Sequence, residues 1–274
     1  MKTIEIKNIY GDVIFKHTSE NNSIKLTVEE AVKKNVCLTL ADLGDAELAG
    51  ANLKGANLRG ANLRNTSLKK ADLAWADLEG ANLEGANLEW ALLDGSNLIG
   101  ADLIGADLED ADISWADLIG ANLEDANLKD ANLKGANLAD ANLKGADIER
   151  SNIYGADLNG AKNIPFIPLA CPSEGAFVAW KNVEWKYLVK IQIPEDARRT
   201  SATTRKCRCD KAMVLDITSL DGEEHYNEVT NNNYKETVYK VGEMVYPDSF
   251  DENRWCECSN GIHFFVNKED AINY

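Results

Sequence analysis

One five-residue unit, Ala-Asp/Asn-Leu-x-x, recurs 24 times without interruption from Ala41 to Gly160. Position three is Leu except at Ile113, Ile148 and Ile153. Position one is Ala except at Thr66, Ser96 and Ser151, and position two is mostly Asp or Asn. A period of five suits neither common element. On an α-helix five residues advance ~500°, so the leucines would wander round the axis. On a flat strand an odd period sends successive leucines to opposite faces. The leucines all point inward only if the chain turns a corner in every unit, and Asn, Asp and Gly tolerate such corners. Position one must then be small, because it also faces a narrow core. Stacked coils would bury Leu on Leu, worth roughly 1.5–3 kcal/mol per side chain.

On these residues, segment 41–160 resembles the pentapeptide-repeat family. The resemblance implies a right-handed quadrilateral β-helix with four pentapeptides to a coil. Positions one and three would face inward, and positions two, four and five outward. The 24 units then predict six coils, a stack ~29 Å long at the inter-strand spacing. The expected fold is mainly β: a pentapeptide-repeat solenoid over 38–162, an N-terminal cap over 1–37, and a small C-terminal α+β domain over 163–274.

A solenoid needs its ends covered. Residues 2–16 read as a hairpin turning at Tyr10-Gly11-Asp12. Residues 27–35 read as a short helix, with Thr27 and Glu30 at capping-box spacing and Lys33 and Lys34 at its C-terminal end. Val36-Cys37-Leu38 reads as a degenerate first unit.

Position five is usually Gly, yet it is Trp at Trp75, Trp90 and Trp115. With four units per coil, residues 20 apart share a face. Trp75 and Trp115 then lie on one face two coils apart, with Gly95 between them. Leu92 occupies the outward second position of that intermediate coil, and Trp90 ends the unit before it. These four residues are expected to cluster, and Ile99 and Ile119 to stack on the next face. Across 41–160 there are 22 acidic and 9 basic residues. Three faces sum to −4 each, whereas the face with Trp75, Leu92 and Trp115 sums to −1. Low charge with clustered aromatic residues marks an interface core. The patch can bind another protein, close a homodimer, or be covered by the chain's own C-terminal domain.

Some members of the family are acidic rods that occupy the DNA site of type II topoisomerases. B-DNA carries ~17 charges over ~29 Å, and the repeat carries a net −13. That charge is divided over four faces, however. The resemblance also implies that such mimics dimerise through a small C-terminal helical piece, whereas this chain continues for over a hundred residues. DNA mimicry is therefore kept as the alternative to protein binding.

Past Gly160, "NIPFIPLACP" (163–172) holds three of the five prolines and reads as a connector. Strand-like runs follow at 176–180, 187–193, 212–217, 236–241 and 261–266, and a short helix opens at Asn267. Cys207 with Cys209, and Cys256 with Cys258, form two Cys-x-Cys pairs. On strands each pair presents two thiols together, and two facing pairs can hold a tetrahedral Zn²⁺. Neither pair has the usual Cys-x₂-Cys spacing, and reduced core thiols are the competing assignment. No other cofactor is implied. Arg198, Arg199, Arg205, Lys206 and Arg208 crowd one Ser/Thr-rich stretch. It reads as a solvated loop, as a segment docked on the acidic coils, or as a phosphate-binding loop for a small phosphorylated ligand. His263, flanked by apolar residues, reads as a core histidine, and Cys258 with His263 lacks an orienting third residue.

There is no Gly-rich phosphate loop, nucleophile elbow or paired-His motif, so a catalyst is not expected. The net charge of −16 argues against direct nucleic-acid binding. No run approaches the ~20 apolar residues of a membrane span, and the N-terminus has charges where a signal peptide has its apolar core. The sequence therefore predicts a soluble, cytoplasmic, non-catalytic protein that binds a protein partner through its aromatic face. The whole chain, with its hairpin-helix opening and "RWCECSNGIHFF" ending, is similar to a group of phage and bacterial pentapeptide-repeat proteins. That resemblance implies modulation of a host or defence component as the setting.

Overall fold

A computed structural model describes residues 1–165, 170–201, 203–231, 237–254 and 260–274. It divides into two compact units, Met1–Phe166 and Ile167–Tyr274.

In the first unit the chain coils with a strict 20-residue register. Parallel bridges join each second position to its counterpart one coil on, from Asp42↔Asn62 to Asn142↔Lys162. Around each bridge the backbone closes both ways: Asn62 N–H donates to Ala41 O at 2.9 Å, and Leu43 N–H to Asn62 O at 2.8 Å. The corner comes in positions four and five. Ala46 N–H donates back to Leu43 O at 3.1 Å, and Asp45 in between has φ +57°. A positive φ at the third residue of a tight turn is what type II geometry demands. That explains why position five favours Gly, Asn and Asp.

The residues at position two have a second task. Their Oδ1 accepts from the backbone N–H two residues on, as Asn97 does from Ile99 (3.2 Å) and Asp112 from Ser114 (3.1 Å). This Asx contact holds the corner. Positions one and three fill the core, and Leu48, Leu78 and Leu128 are fully buried. Ile148 and Ile153 are only half-buried in the last coils, where no further repeat bridges onto them among the described residues.

The open first coil is covered by β1 (Lys2–Lys7), β2 (Val13–Ser19) and α1 (Ile24–Lys33). Asn8 fixes the β1–β2 turn, its Oδ1 accepting from both Tyr10 and Asp12 N–H. The hairpin joins the solenoid through Asp42 N–H to Lys7 O and Ile9 N–H to Leu40 O. Helix α1 buries Thr27, Val28 and Ala31. Its cap corrects the sequence expectation: Ser23, not Thr27, accepts from Leu26 N–H, and the helix starts a turn earlier. Thr27 is inside the helix, donating its hydroxyl to Ser23 O and Asn22 Oδ1. Coil hydrogen bonding begins at Leu38, whose N–H reaches Asn57 O.

Among its described residues the second unit holds antiparallel strands and one short helix. Its strands are β3 (Phe177–Val183), β4 (Tyr187–Ile193), β5 (Arg199–Ser201), β6 (Lys206–Cys209), β7 (Ala212–Ser219), β8 (Glu228–Asn231), β9 (Thr237–Lys240), β10 (Met244–Val245) and β11 (Ile262–Phe265). Seven of them lie in the order β10-β7-β4-β3-β11-β6-β5, and β8-β9 form a separate ribbon. Helix α2 (Lys268–Ile272) is capped by Asn267, which accepts from Glu269 N–H. The core joins Ala179, Ile191, Val214 and Phe264 with Cys207 and Cys209.

Candidate interaction face

Column by column, position five explains its own tryptophans. The φ values of Trp75, Trp90 and Trp115 are +61°, +60° and +60°, the same corner conformation as the glycines they replace. Room for the indole comes from the next coil. A Cβ placed on Gly95 would lie 2.8 Å from Trp75 Cε3, and one on Gly135 would lie 2.5 Å from Trp115 Cε3. Each ring therefore rests on the bare backbone of the glycine 20 residues on. Trp and Gly alternate down this column from Trp75 to Gly135.

The rings remain in the open. Trp75 is 65%, Trp90 52%, Trp115 66% and Leu92 45% exposed. Ile99 and Ile119 are half-buried neighbours in their own column. Trp90 lies at the corner that leads into Leu92, its N–H bonded to Glu109 O. Trp75, Leu92 and Trp115 belong to one face and Trp90 to the corner that precedes it, and the three indoles make no ring–ring contact with one another. Trp75 and Trp115 stand about 10 Å apart, two inter-strand spacings. Leu92 breaks the position-two column between Asp72 and Asp112. An Asx acceptor for the Asp94 N–H is thereby lost, because Leu has no side-chain oxygen.

Charge is arranged differently here from the other three faces. Each of those holds ion pairs that cross from coil to coil. Arg59 binds Glu79, Arg64 binds Glu84, Lys69 binds Glu89, Lys144 binds Glu124, Lys129 binds Asp147 and Arg150 binds Asp130. The Arg59 guanidinium holds the Glu79 carboxyl below its usual range, and Arg150 does the same to Asp130. On the aromatic face the two lysines, Lys54 and Lys134, belong to flanking coils. The coils between them carry Asp72, Asp94 and Asp112, and none of these has an ion-pair partner among the described residues. The near-neutral sum of this face thus hides an acidic centre.

The basic stretch 198–211 lies in the second unit. It is the β5–β6 hairpin rather than a loop, and each cation is already held. Arg198 pairs with Asp210 and Glu252. The Arg199 guanidinium donates to the carbonyls of Ala197, Pro172, Gly175, Pro194 and Glu195 and lies over Phe177. Arg205 pairs with Asp270, and Lys206 donates to the Tyr274 hydroxyl. Arg208 is 2% exposed and donates to the Asn260 and Asn253 carbonyls. Lys206 and Arg208 organise the second unit from within, whereas Arg198 and Arg205 pair at its surface. Sequence spacing could not reveal this, because their partners lie up to 68 residues away.

Cys207 and Cys209 are buried in β6, their Sγ atoms donating to Arg205 O and Ile262 O. Burial pushes the Cys209 thiol up to about 12, and the adjacent Cys171 thiol together with burial pushes Cys207 up. Cys171 was not singled out by the sequence; it meets Cys207 because Ser201, paired with Cys207 across β5–β6, binds the Ala170 N–H. Cys256 and Cys258, the other half of the proposed zinc set, lie outside the described residues. Among the described residues no three potential ligands gather round a metal position, and no helix is long and apolar enough to cross a membrane. His263 pairs with Arg208 between β11 and β6.

Comparison with known proteins separates the two units. Residues 46–85, 86–125 and 126–162 match the model of pentapeptide repeats. Residues 167–271 match a family of unknown function, DUF5758. Among solved structures, the chain is 37% identical to HetL, a pentapeptide repeat protein involved in heterocyst differentiation regulation in the cyanobacterium Nostoc. That match covers 46% of this chain and 70% of HetL, with a TM-score of 0.31. A pentapeptide repeat protein of the Arabidopsis thaliana thylakoid lumen is 30% identical over 46% of this chain and 68% of its own, with a TM-score of 0.21. The plasmid-mediated fluoroquinolone resistance protein QnrB1 is 22% identical over 44% of this chain and 76% of its own, with a TM-score of 0.24. No curated protein matches the chain.

Proposed function

Because the chain belongs to the pentapeptide-repeat family, a family of right-handed β-helices, we propose that it is a non-catalytic protein that binds a partner through the Trp75–Trp90–Leu92–Trp115 face. The observation that carries this is the exposure of two indoles and a leucine on one face and of a third indole at its leading corner, at positions where the repeat otherwise places small or polar residues. Exposed Trp is among the residue types most enriched in interface hot spots. Trp75 and Trp115 each rest on the bare backbone of the glycine one coil on, so less side-chain freedom is lost when a partner docks. A setting in phage or bacterial cytoplasm, suggested by the resemblance, makes a host or defence component the first partner to test.

The test is capture on immobilised intact protein, with native mass spectrometry of the free protein beside it. A partner retained by the wild type and lost on Trp115→Asp supports the proposal. A dimer that dissociates on Trp115→Asp makes the face a homodimer contact instead. Neither a partner nor a dimer sensitive to this substitution would sink the assignment.

A further inference from the structure

The proposal that this face binds protein leaves its partner's chemistry open, and the carboxylates narrow it. We propose that the occupant is a basic segment of a partner protein, presenting Arg or Lys side chains to the indoles and to Asp94.

Three observations converge. First, the unit that carries Leu92 and Asp94 begins just after Trp90 and lies one coil from the units of Trp75 and Trp115, between them. Asp94 is only half exposed, and its carbonyl accepts the Trp75 N–H. Second, Asp72, Asp94 and Asp112 have no cationic partner among the described residues, while each of the other three faces holds cross-coil ion pairs. Third, no Lys or Arg lies over Trp75, Trp90 or Trp115 among the described residues, although the chain places cations over Phe15, Phe177, Tyr239, Phe250 and Tyr274. The unoccupied rings of Trp75 and Trp115 and the unpaired carboxylates therefore coincide on the one face free of cross-coil ion pairs, with Trp90 at the corner that precedes it.

The physical consequence is selective. A purely apolar partner that covered the indoles would also cover Asp94 and leave a desolvated charge unpaired, which is costly. An acidic partner or a nucleic-acid phosphate would be repelled. A second copy meeting this face by two-fold symmetry would bring its own Asp72, Asp94 and Asp112 against the first set. A guanidinium meets both demands, stacking on an indole while it donates to a carboxylate. The two-coil separation of Trp75 and Trp115, about 10 Å, matches the rise of seven residues along an α-helix. Two cations at i and i+7 on a partner helix would reach both rings.

This inference rests on the protein-binding assignment but is tested apart from it. A random displayed dodecapeptide library is selected on the intact protein and counter-selected on the W75A/W115A variant. The expected survivors are enriched in Arg and Lys and bind less tightly as salt rises. Synthetic survivors should lose about fivefold in affinity on Asp94→Asn. Glu47→Gln, which removes the same charge on another face, should leave their affinity nearly unchanged. Asp94→Asn keeps the shape of the residue, so the test survives even if the double Trp variant folds poorly. Survivors without basic residues, no survivors, or affinity indifferent to Asp94→Asn would each overturn the inference. A captured partner lost on Trp115→Asp but unaffected by Asp94→Asn and by salt would overturn it too, while leaving the protein-binding assignment standing.

Discussion

Trp75 and Gly95 act as a pair, and so do Trp115 and Gly135: the larger residue at each corner is accommodated by the absence of a side chain one coil on. Gly80 offers a control, since it has the same φ of +64° as Gly95 but nothing within 4 Å of an added methyl group. Gly80→Ala should cost about 1 kcal/mol, the left-handed backbone penalty alone. Gly95→Ala should cost more by urea unfolding and red-shift the tryptophan emission, because Trp75 must swing away. Equal costs and an unshifted spectrum would show that the ring does not rest on Gly95. Ser96 is the inverse case. Its hydroxyl is buried at a position where Ala is the rule, and it has no hydrogen-bond partner among the described residues. By contrast, the buried Thr66 hydroxyl at an equivalent position donates to Leu43 O at 2.8 Å. Ser96→Ala should therefore stabilise the protein by about 1 kcal/mol, read as a higher urea midpoint with an unchanged slope.

At the level of elements, the runs of apolar and β-branched residues located β3, β4, β7, β9 and β11, and Asn267 marked the start of α2. Strands β5 and β6 were hidden because Arg, Lys, Ser and Thr in close succession look solvated. Their polar groups are satisfied by distant residues instead, as Arg208 is by two carbonyls. The capping box at Thr27 failed for a related reason: Ser23 already supplied a cap one turn earlier. Strand β3 carries a further consequence. The Lys181 amine is part-buried near the Tyr239 ring, bonded to His263 O, and desolvation lowers its pKa to about 8 from 10.5. Between those two values the unfolded chain binds more protons than the folded one, so stability rises with pH across that window. Below it, the folded state carries the cost of a buried cation. Lys181→Met should raise the melting temperature at neutral pH and flatten its rise from about pH 8 to 10.5. A wild-type profile that is already flat there would contradict the buried amine.

Across the whole molecule, acid is the informative perturbation. Glu79, Glu124, Asp130 and Asp147 are each held below their ordinary values by a basic residue from an adjacent coil, chiefly by hydrogen bonding. Groups lowered in the folded state stabilise it above their unfolded values, 4.5 for Glu and 3.8 for Asp, and that contribution is lost as pH falls through the folded values. All four are exposed, so each contribution is small and screened by salt. The melting temperature of the coils should hold from neutral pH to about 5 and fall below pH 4, with a shallower fall in high salt. A melting temperature that rises on acidification would mean that relief of the −16 net charge outweighs the loss of these pairs.

The sequence by itself determined the coil. Its period of five, with Leu and Ala inward and Asx or Gly at the corners, repeats one local solution, and a repeating solution makes the contact partner of residue i the residue i+20. Face membership, and hence the company of Trp75, Leu92 and Trp115, follows from counting. Only the tertiary structure decided which charges remain unpaired. Whether Arg59 reaches Glu79, or nothing reaches Asp94, depends on side-chain direction and reach between coils. In the second unit no period links partners such as Arg205 and Asp270, 65 residues apart. Its basic residues were legible as charge but not as structure, because non-local pairing is set by the packed sheet rather than by any local pattern.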